Sequence, residues 1–142
     1  MTCTFFGHRD TPMSVAEKLK GVLTDLIESG VDNFLVGTEG GFDGMVYASL
    51  CELKGTYPHI NVSRVLAYLP TKADPLGENA EDTVYPEGLE TVPKRFAIAK
   101  RNEWLVKQSD TVVCYIERQF GGAAKYTEYA RKKGKTIINL AE

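Results

Sequence analysis

Short apolar runs alternate along the chain with longer segments in which apolar residues recur at helical spacing. Residues 3–6 form a mainly apolar run that ends at Gly7, which is typical of a buried strand. A helix is predicted to follow, because Ser14 and Glu17 form a capping-box pattern and apolar residues then recur every three or four positions until Gly30. This segment therefore predicts a strand and a helix that covers one face of a sheet.

The same alternation continues along the rest of the sequence. The pattern predicts strands at residues 34–36, 62–69, 111–116 and 136–140, a helix that follows a glycine-rich turn at 37–44 and ends at 53, and helices at 95–109 and 122–133. Strands that are apolar on both faces and alternate with helices are typical of a parallel sheet between two helical layers. The predicted class is α/β, and a chain of 142 residues fits one domain.

The alternation is interrupted at residues 71–94. This segment contains three prolines, two glycines and six acidic residues against two lysines, which predicts a long acidic loop. Long loops in small domains often act as lids or binding loops. A lid and a loop without a function both remain open at this point.

Composition narrows the class of protein and its partners. The 17 basic and 19 acidic residues give a net charge of −2 without a long basic run, so no nucleic-acid partner is expected. Cys3, Cys51 and Cys114 form no C-x-x-C pair and lie in apolar surroundings, which predicts reduced core thiols. The absence of a signal pattern and of a long apolar run predicts a cytoplasmic chain without a membrane partner.

Three segments fall at the carboxyl edge of the predicted sheet, where ligands of parallel sheets bind. They are residues 7–9, 37–44 and 120–122. A glycine-rich turn that opens a helix presents free N–H groups and the positive end of the helix dipole, which favour phosphate or carboxylate. Neither glycine turn matches the phosphate-loop fingerprint or the dinucleotide-binding fingerprint. A phosphate-loop ATPase and an ordinary NAD dehydrogenase are therefore disfavoured. A tight connection without a ligand is the alternative for each turn.

Arg101 stands out because it projects from an apolar helical stripe. Its neighbours three and four positions away are Ala97, Ile98, Trp104 and Leu105. A buried arginine needs an anionic partner, which would be either a ligand phosphate or an internal carboxylate, Asp43 or Asp110. Asn102 lies beside it and is a candidate to form a hydrogen bond with either partner, the ligand phosphate or the internal carboxylate.

Two further side chains are candidates for chemistry. Glu128 would supply a carboxylate to ribose hydroxyls or to acid–base catalysis, although an exposed helical pair with Lys132 explains it equally well. His8 would polarise or protonate a ligand. No cluster of histidine and cysteine has metal-ligand spacing, so no protein-bound metal is predicted, while a nucleotide-associated Mg²⁺ held by Asp43 is possible.

Four segments together resemble a known family. "FFGHRD", "GTEGGFDG", "RNEWLVKQSD" and "FGGAAKYTEYARKKGKTIINL" are similar to the YpsA-like branch of the SLOG superfamily, which includes the DprA and LOG Rossmann-like proteins. The resemblance implies one Rossmann-like, three-layer nucleotide-binding domain over residues 1–142, with a mainly parallel five-stranded sheet in the order 3-2-1-4-5, often as a homo-oligomer. The ligand-binding residues it implies, together with the glycine-rich turns, are Gly7, His8, Arg9, Gly37, Thr38, Gly40, Gly41, Asp43, Arg101, Asn102, Gly121 and Gly122.

The sequence departs from the LOG phosphoribohydrolases at their catalytic motif. Where those proteins resemble P-G-G-x-G-T-x-E-E, Phe120 replaces the proline and Ala124 replaces the third glycine, while Glu128 persists. The first hypothesis is therefore a module that binds or senses a nucleotide or an NAD/ADP-ribose-like molecule and requires no cofactor. The alternatives are an N-glycosidic hydrolase or transferase that uses Glu128, and a protein-interaction module with a vestigial pocket.

Overall fold

The structure, a computed structural model, describes residues 1–68 and 82–142. Within these ranges the strands are β1 (Thr2–Gly7), β2 (Asn33–Val36), β3 (Asn61–Val65), β4 (Thr83–Val84), β5 (Thr111–Tyr115) and β6 (Thr136–Asn139). The α-helices are α1 (Val15–Glu28), α2 (Gly40–Thr56), α3 (Ala97–Gln108) and α4 (Gly122–Lys132). Two short 3₁₀ turns, Leu89–Thr91 and Lys94–Phe96, lead into α3.

The strands form one sheet in the order β4-β3-β2-β1-β5-β6, and every neighbouring pair is parallel. This confirms the predicted α/β class, and the five predicted strands follow the predicted order. The predicted number of strands is wrong, because β4 adds a sixth strand at one edge. β4 lies in the segment that was expected to be an irregular loop, and its two residues are too few to leave a hydrophobic pattern.

Alternate residues of β1 enter two different cores. Cys3 and Phe5 pack into a cluster that includes side chains of α1 and α2. Phe6 packs into a second cluster with Leu105 of α3 and Tyr126 of α4. Because successive side chains of a strand point to opposite faces, this arrangement gives three layers with the sheet in the middle.

Helix α1 begins without the predicted capping box. Ser14 already has helical dihedral angles, φ −62° and ψ −18°, and its side chain makes no capping hydrogen bond. An N-cap residue needs an extended backbone to place its hydroxyl over the first turn, so this part of the prediction is wrong. The third predicted strand, 62–69, is also shorter in the structure and ends at Val65.

A polar contact fixes β4 to the rest of the domain. The buried guanidinium of Arg64 donates to Asp82 from Nε at 3.2 Å and from Nη2 at 2.8 Å, and it lies 4.6 Å from the ring centroid of Tyr47. The hydroxyl of Tyr47 also donates to Asp82. The residues just before Asp82, 69–81, lie outside the described residues, and with them the first part of the loop predicted at 71–94, residues 71–81.

The three cysteines differ in exposure. Cys3 and Cys114 are buried, as predicted, whereas Cys51 is exposed on α2. The prediction of three core thiols is therefore wrong for Cys51, because the helix turns that position away from the sheet. Among the described residues, no helix is both long and apolar enough to span a membrane.

Candidate functional site

A cavity of about 500 Å³ lies at the carboxyl ends of β1, β2 and β5. These strands flank the point where successive connections run in opposite directions across the sheet, which is where open parallel sheets bind ligands. Nine of the predicted ligand-binding residues line it: Gly7, His8, Arg9, Gly37, Asp43, Arg101, Asn102, Gly121 and Gly122. The structure thus brings the three predicted edge segments and α3 to one place, while ligand binding itself stays a prediction.

The glycine turn before α2 is filled by the protein. The amide of Gly41 donates to the carbonyl of Arg9 at 3.0 Å, and the amide of Glu39 donates to Asp43 Oδ2 at 2.8 Å. A Cβ added to Gly40 would lie 2.7 Å from Arg9 Cγ, and one added to Gly41 would lie 2.5 Å from the Arg9 carbonyl oxygen. Gly40 and Gly41 therefore pack against Arg9, outside the lining, and the phosphate-binding role predicted for them is not supported.

Arg101 lies at the cavity wall and is only 2% exposed. Its Nε donates to Asn102 Oδ1 at 3.1 Å. Its Nη1 donates to Thr38 Oγ1 at 3.3 Å and to the Val65 carbonyl at 3.2 Å. Thr38, which does not line the cavity, thus orients Arg101. Within residues 1–68 and 82–142, Nη2 has no hydrogen-bond acceptor, so one edge of the guanidinium is unused.

The positive charge of Arg101 has no ion-pair partner among the described residues. Asp110, one of the two predicted internal partners, accepts the amide of Thr2 at 2.9 Å instead. Asp43, the other, lies near enough to act on Arg101 electrostatically but forms no ion pair with it. Burial lowers the pKa of the Arg101 guanidinium, and the nearby charges of Asp43 and Glu39 oppose this shift without cancelling it.

Asp43 is the acidic group at the same wall. Burial raises the pKa of its carboxyl to about 6, against the opposing effect of the hydrogen bond from Glu39. Asp43 also explains Gly37, since a Cβ there would lie 2.9 Å from Asp43 Oδ2. No group of three or more histidine, cysteine, aspartate or glutamate side chains in the described part of the chain could hold a metal ion.

The turn before α4 is open, in contrast to the turn before α2. Gly121 has a φ of +95°, and a Cβ added to Gly121 or Gly122 would meet nothing within 4 Å. The first backbone bond of the helix runs from the Lys125 amide to the Gly121 carbonyl at 3.1 Å. The N–H groups that precede it have no partner within the helix and lie at the positive end of its dipole. This end of α4 borders the cavity through Gly121, Gly122 and Ala123.

His8 positions the segment that follows β5. The residue is 7% exposed, and Nε2 accepts hydrogen bonds from the amides of Glu117 at 3.1 Å and Arg118 at 3.4 Å. Nε2 must be unprotonated to accept them, and burial, together with Arg118, lowers the pKa of His8. The Nε2 atom is therefore engaged inside the protein and is not free to polarise or protonate a ligand.

Glu128 lies apart from the cavity. It is exposed on α4, and its Oε2 accepts a hydrogen bond from Arg131 Nη1 at 3.2 Å. The exposed helical pair is therefore formed with Arg131 and not with the predicted partner, Lys132. It borders a separate surface groove with Lys125 and Tyr129. The catalytic role predicted for Glu128 is therefore not supported by its position.

The cavity lining also contains residues to which the sequence assigned no ligand-binding role, among them Arg118 and Phe120. Arg118 donates to both carboxylate oxygens of Asp10, at 3.1 and 2.9 Å, and its guanidinium carbon lies 6.0 Å from the ring centroid of Phe120. Arg118 follows the predicted strand 111–116 by two residues, and this position at the carboxyl edge was the available signal. Phe120 belongs to the predicted edge segment 120–122 and departs from the LOG motif, but no ligand-binding role was predicted for it.

Comparison with known proteins agrees with this architecture. The model of the YspA SLOG family matches residues 2–139. The UPF0398 protein BH1768 of Halalkalibacterium halodurans is 30% identical over 141 residues, which cover 90% of this chain and 74% of that protein. The match extends over the cavity and all elements of the sheet.

Two solved structures share the fold. The X-ray structure of DNA processing protein A (DprA) from Streptococcus pneumoniae superposes with a TM-score of 0.71 at 15% identity, over 97% of this chain and 49% of that one. DprA from Helicobacter pylori gives a TM-score of 0.68 at 15% identity, over 98% of this chain and 64% of that one. The chain thus spans about half the length of the S. pneumoniae protein and just under two thirds of the length of the H. pylori protein.

The prediction that excluded a nucleic-acid partner is wrong. The H. pylori structure is described as showing a single-stranded DNA binding mode, so this fold occurs in a protein that binds nucleic acid. A net charge close to zero describes the whole surface and does not exclude a local cationic site. Arg9, Arg101 and Arg118 line one cavity although the chain as a whole is slightly acidic.

Proposed function

The chain belongs to the YspA SLOG family, and we propose that it binds a nucleotide or a nucleotide derivative in the cavity at the carboxyl edge of its sheet. One observation carries the proposal. Arg101 is buried at the cavity wall with an unused Nη2 edge and without a carboxylate ion-pair partner in the described part of the chain. A ligand phosphate would supply that missing anion and accept from the unused Nη2.

The surroundings of Arg101 suit a phosphate ester. The open N-terminal turn of α4 offers unpaired amides and a favourable dipole, and Arg9 adds a second cation at the lining. Asn102 has a side-chain amide for ribose hydroxyls. Asp43 would accept from a ribose hydroxyl or hold a Mg²⁺ ion that accompanies the phosphates. One cavity therefore contains groups suited to bind both the phosphate and the sugar of a nucleotide.

Calorimetry with AMP, ADP, NAD and ADP-ribose tests the proposal. Arg101→Gln should weaken binding by at least about tenfold, because a hydrogen bond to a charged group contributes about 1.5–3 kcal/mol. Arg131→Gln, which removes an exposed arginine of α4 remote from the cavity, is the matched control and should leave affinity unchanged. The absence of binding by the wild type, or equal binding by Arg101→Gln, would overturn the proposal. Repeating the titration with Mg²⁺ and with EDTA tests the contribution of Asp43.

Single-stranded DNA is the second candidate ligand, and the shared fold of H. pylori DprA favours it. A strand would place one nucleotide in the cavity and leave its neighbours on the surface. Binding of an oligonucleotide should then fall steeply with salt, since each phosphate neutralised by a cation releases counterions. Fluorescence anisotropy with a labelled oligonucleotide distinguishes the two ligands. A strand that binds no more tightly than AMP at low salt would leave the free nucleotide as the ligand.

A further inference from the structure

Phe120 is an exposed aromatic residue at the rim of the cavity, and we propose that its ring stacks on the nucleobase of the bound ligand. This inference rests on the proposed function, because the phosphate of the same ligand would occupy the site at Arg101 and α4. It assigns to Phe120 the role of a residue that determines specificity for a base-bearing ligand. The base would belong either to a free nucleotide or to a nucleic-acid strand.

The exposure of Phe120 calls for a partner. The side chain is 70% exposed, although it lines the cavity and follows a fully buried strand. An isolated exposed phenylalanine is common on protein surfaces and would need no explanation by itself. Phe120 differs because its ring borders a cavity that also holds a buried cation without an ion-pair partner among the described residues, Arg101.

A cation flanks the Phe120 ring and is itself held in place. The guanidinium carbon of Arg118 lies 6.0 Å from the ring centroid, and both of its terminal nitrogens donate to Asp10, at 3.1 and 2.9 Å. Planar guanidinium groups and aromatic rings are the two surfaces on which proteins stack bases. Phe120 and the Arg118 guanidinium over its ring therefore bring both types of surface together at the cavity.

The space beside the ring is open, and the phosphate site is within reach. A Cβ at Gly121 or Gly122 would meet nothing within 4 Å, so no residue other than their chain neighbours packs against the Cβ side of the two glycines that follow Phe120. Two residues of chain span at most about 7 Å, so the Cα atom that carries the ring lies within that distance of Gly122 at the start of α4, a separation that the base and phosphate of one nucleotide can span. This proximity is the geometric argument for one ligand that contacts both.

Two probes that differ by the base alone test the stacking. AMP and ribose 5-phosphate share the sugar and the phosphate, so calorimetry with both isolates the contribution of the base. Wild type should bind AMP more tightly than ribose 5-phosphate. Phe120→Ala should weaken AMP binding by about 5- to 100-fold, as removal of a base-stacking aromatic does, and leave ribose 5-phosphate within about twofold.

Two further variants separate stacking from a structural role. Phe96→Ala is the matched control, because Phe96 is also exposed at 47% and also lies beside an arginine, Arg95, but it does not line the cavity. It should leave both affinities unchanged. Phe120→Trp should bind AMP more tightly than Phe120→Ala does, because indole also stacks on a base. Its fluorescence, measured over the background of Trp104, should be quenched by AMP and not by ribose 5-phosphate.

Each outcome decides the inference. Equal weakening of both probes by Phe120→Ala, or unchanged AMP binding, overturns stacking while the proposed function stands. Wild type that binds neither probe overturns both. An oligo(dA) titration identifies the source of the base: a strand that binds more tightly than AMP and also weakens in Phe120→Ala places a nucleic-acid base on the ring, and tighter AMP binding places a free nucleotide there.

Discussion

The turns that lead into α2 and α4 both carry a glycine pair after a buried strand, yet only the second leaves room for a ligand. Before α2, the backbone of Arg9 fills the concave side of the turn and takes the Gly41 amide. Before α4, nothing approaches Gly121 or Gly122 within 4 Å of an added Cβ. One glycine pair permits close packing within the protein, and the other leaves a free helix terminus.

The difference shows that a glycine-rich turn becomes a binding site only when the chain leaves its amides unoccupied. Amides that already donate inside the protein cannot also donate to a phosphate without losing an internal bond. The loop after β1 decides the outcome here, because it delivers Arg9 to the first turn and not to the second. The following predictions test this contrast, from the largest expected effect to the smallest.

Alanine substitutions in the two turns should have opposite consequences for stability. Gly41→Ala places a Cβ 2.5 Å from the Arg9 carbonyl oxygen and should lower the free energy of unfolding by about 2–3 kcal/mol, the cost of overpacking. Gly122→Ala is the matched control in the first turn of α4. It should raise the free energy of unfolding by up to about 1 kcal/mol, since alanine favours helix. Urea denaturation measures both, and equal losses would remove the distinction between the turns.

Asp43→Asn should stabilise the filled turn at neutral pH. Burial raises the pKa of Asp43 from 3.8 to about 6, so between these values the folded protein binds more protons than the unfolded chain and loses stability as pH rises. The asparagine oxygen still accepts the Glu39 amide, and the variant should gain about 1–2 kcal/mol above pH 6. Denaturation at about pH 4 and pH 8 measures the change. A variant less stable than wild type at the higher pH would contradict the burial of this charge.

His8→Gln should weaken the support of the open turn and alter its response to pH. Burial lowers the pKa of His8 in the folded protein below its ordinary value of 6.5. Below pH 6.5 the unfolded chain therefore binds more protons than the folded protein, and stability falls as pH falls. Loss of the bonds from Glu117 and Arg118 should cost about 1 kcal/mol at neutral pH, and the variant should lose less stability on acidification. Melting temperatures at about pH 7.5 and 5.5 report both effects. The exposed His59→Gln is the control, and an identical pH response in both variants would refute the assignment.

Glu128→Gln should have the smallest effect of the series. Its pair with Arg131 is exposed, and such pairs contribute little to stability. Nucleotide affinity should also stay the same, because Glu128 lies outside the cavity. Chromatographic detection of a free base released from AMP by wild type, and abolished in the variant, would instead support the N-glycosidic alternative.

The elements of the fold could be predicted because their signals are local. Apolar periodicity specifies each helix and buried strand within a short window, and the bounds of α4, Gly122–Lys132, differ by one residue from those predicted. β4 has only two residues, and Asp82 just before it pairs with Arg64 of β3, a contact that no local pattern shows. The same limit explains Ser14, whose capping signal is present while its backbone is already helical.

The site could be predicted from the sequence where a polar residue interrupts the apolar pattern of its own helix. Arg101 interrupts an apolar helical stripe, and the structure places it at the cavity with no ion-pair partner among the described residues. The glycine turns could not be told apart, because their difference depends on where Arg9 lies in three dimensions. Phe120 lies in the predicted edge segment 120–122, but nothing in the sequence indicated a role for its ring, since an apolar residue after a strand is ordinary unless its exposure is known.

The short length of β4 also affects whether this edge of the sheet can pair with other molecules. An outer strand with many free N–H and C=O groups is a template for edge-to-edge aggregation, and proteins commonly blunt such an edge with a very short strand or with charge. β4 presents two residues beyond β3, and the Arg64–Asp82 ion pair places opposite charges at that margin. Asp82→Asn should therefore loosen this margin and favour self-association through β3, which light scattering would detect as growth of particle size with time.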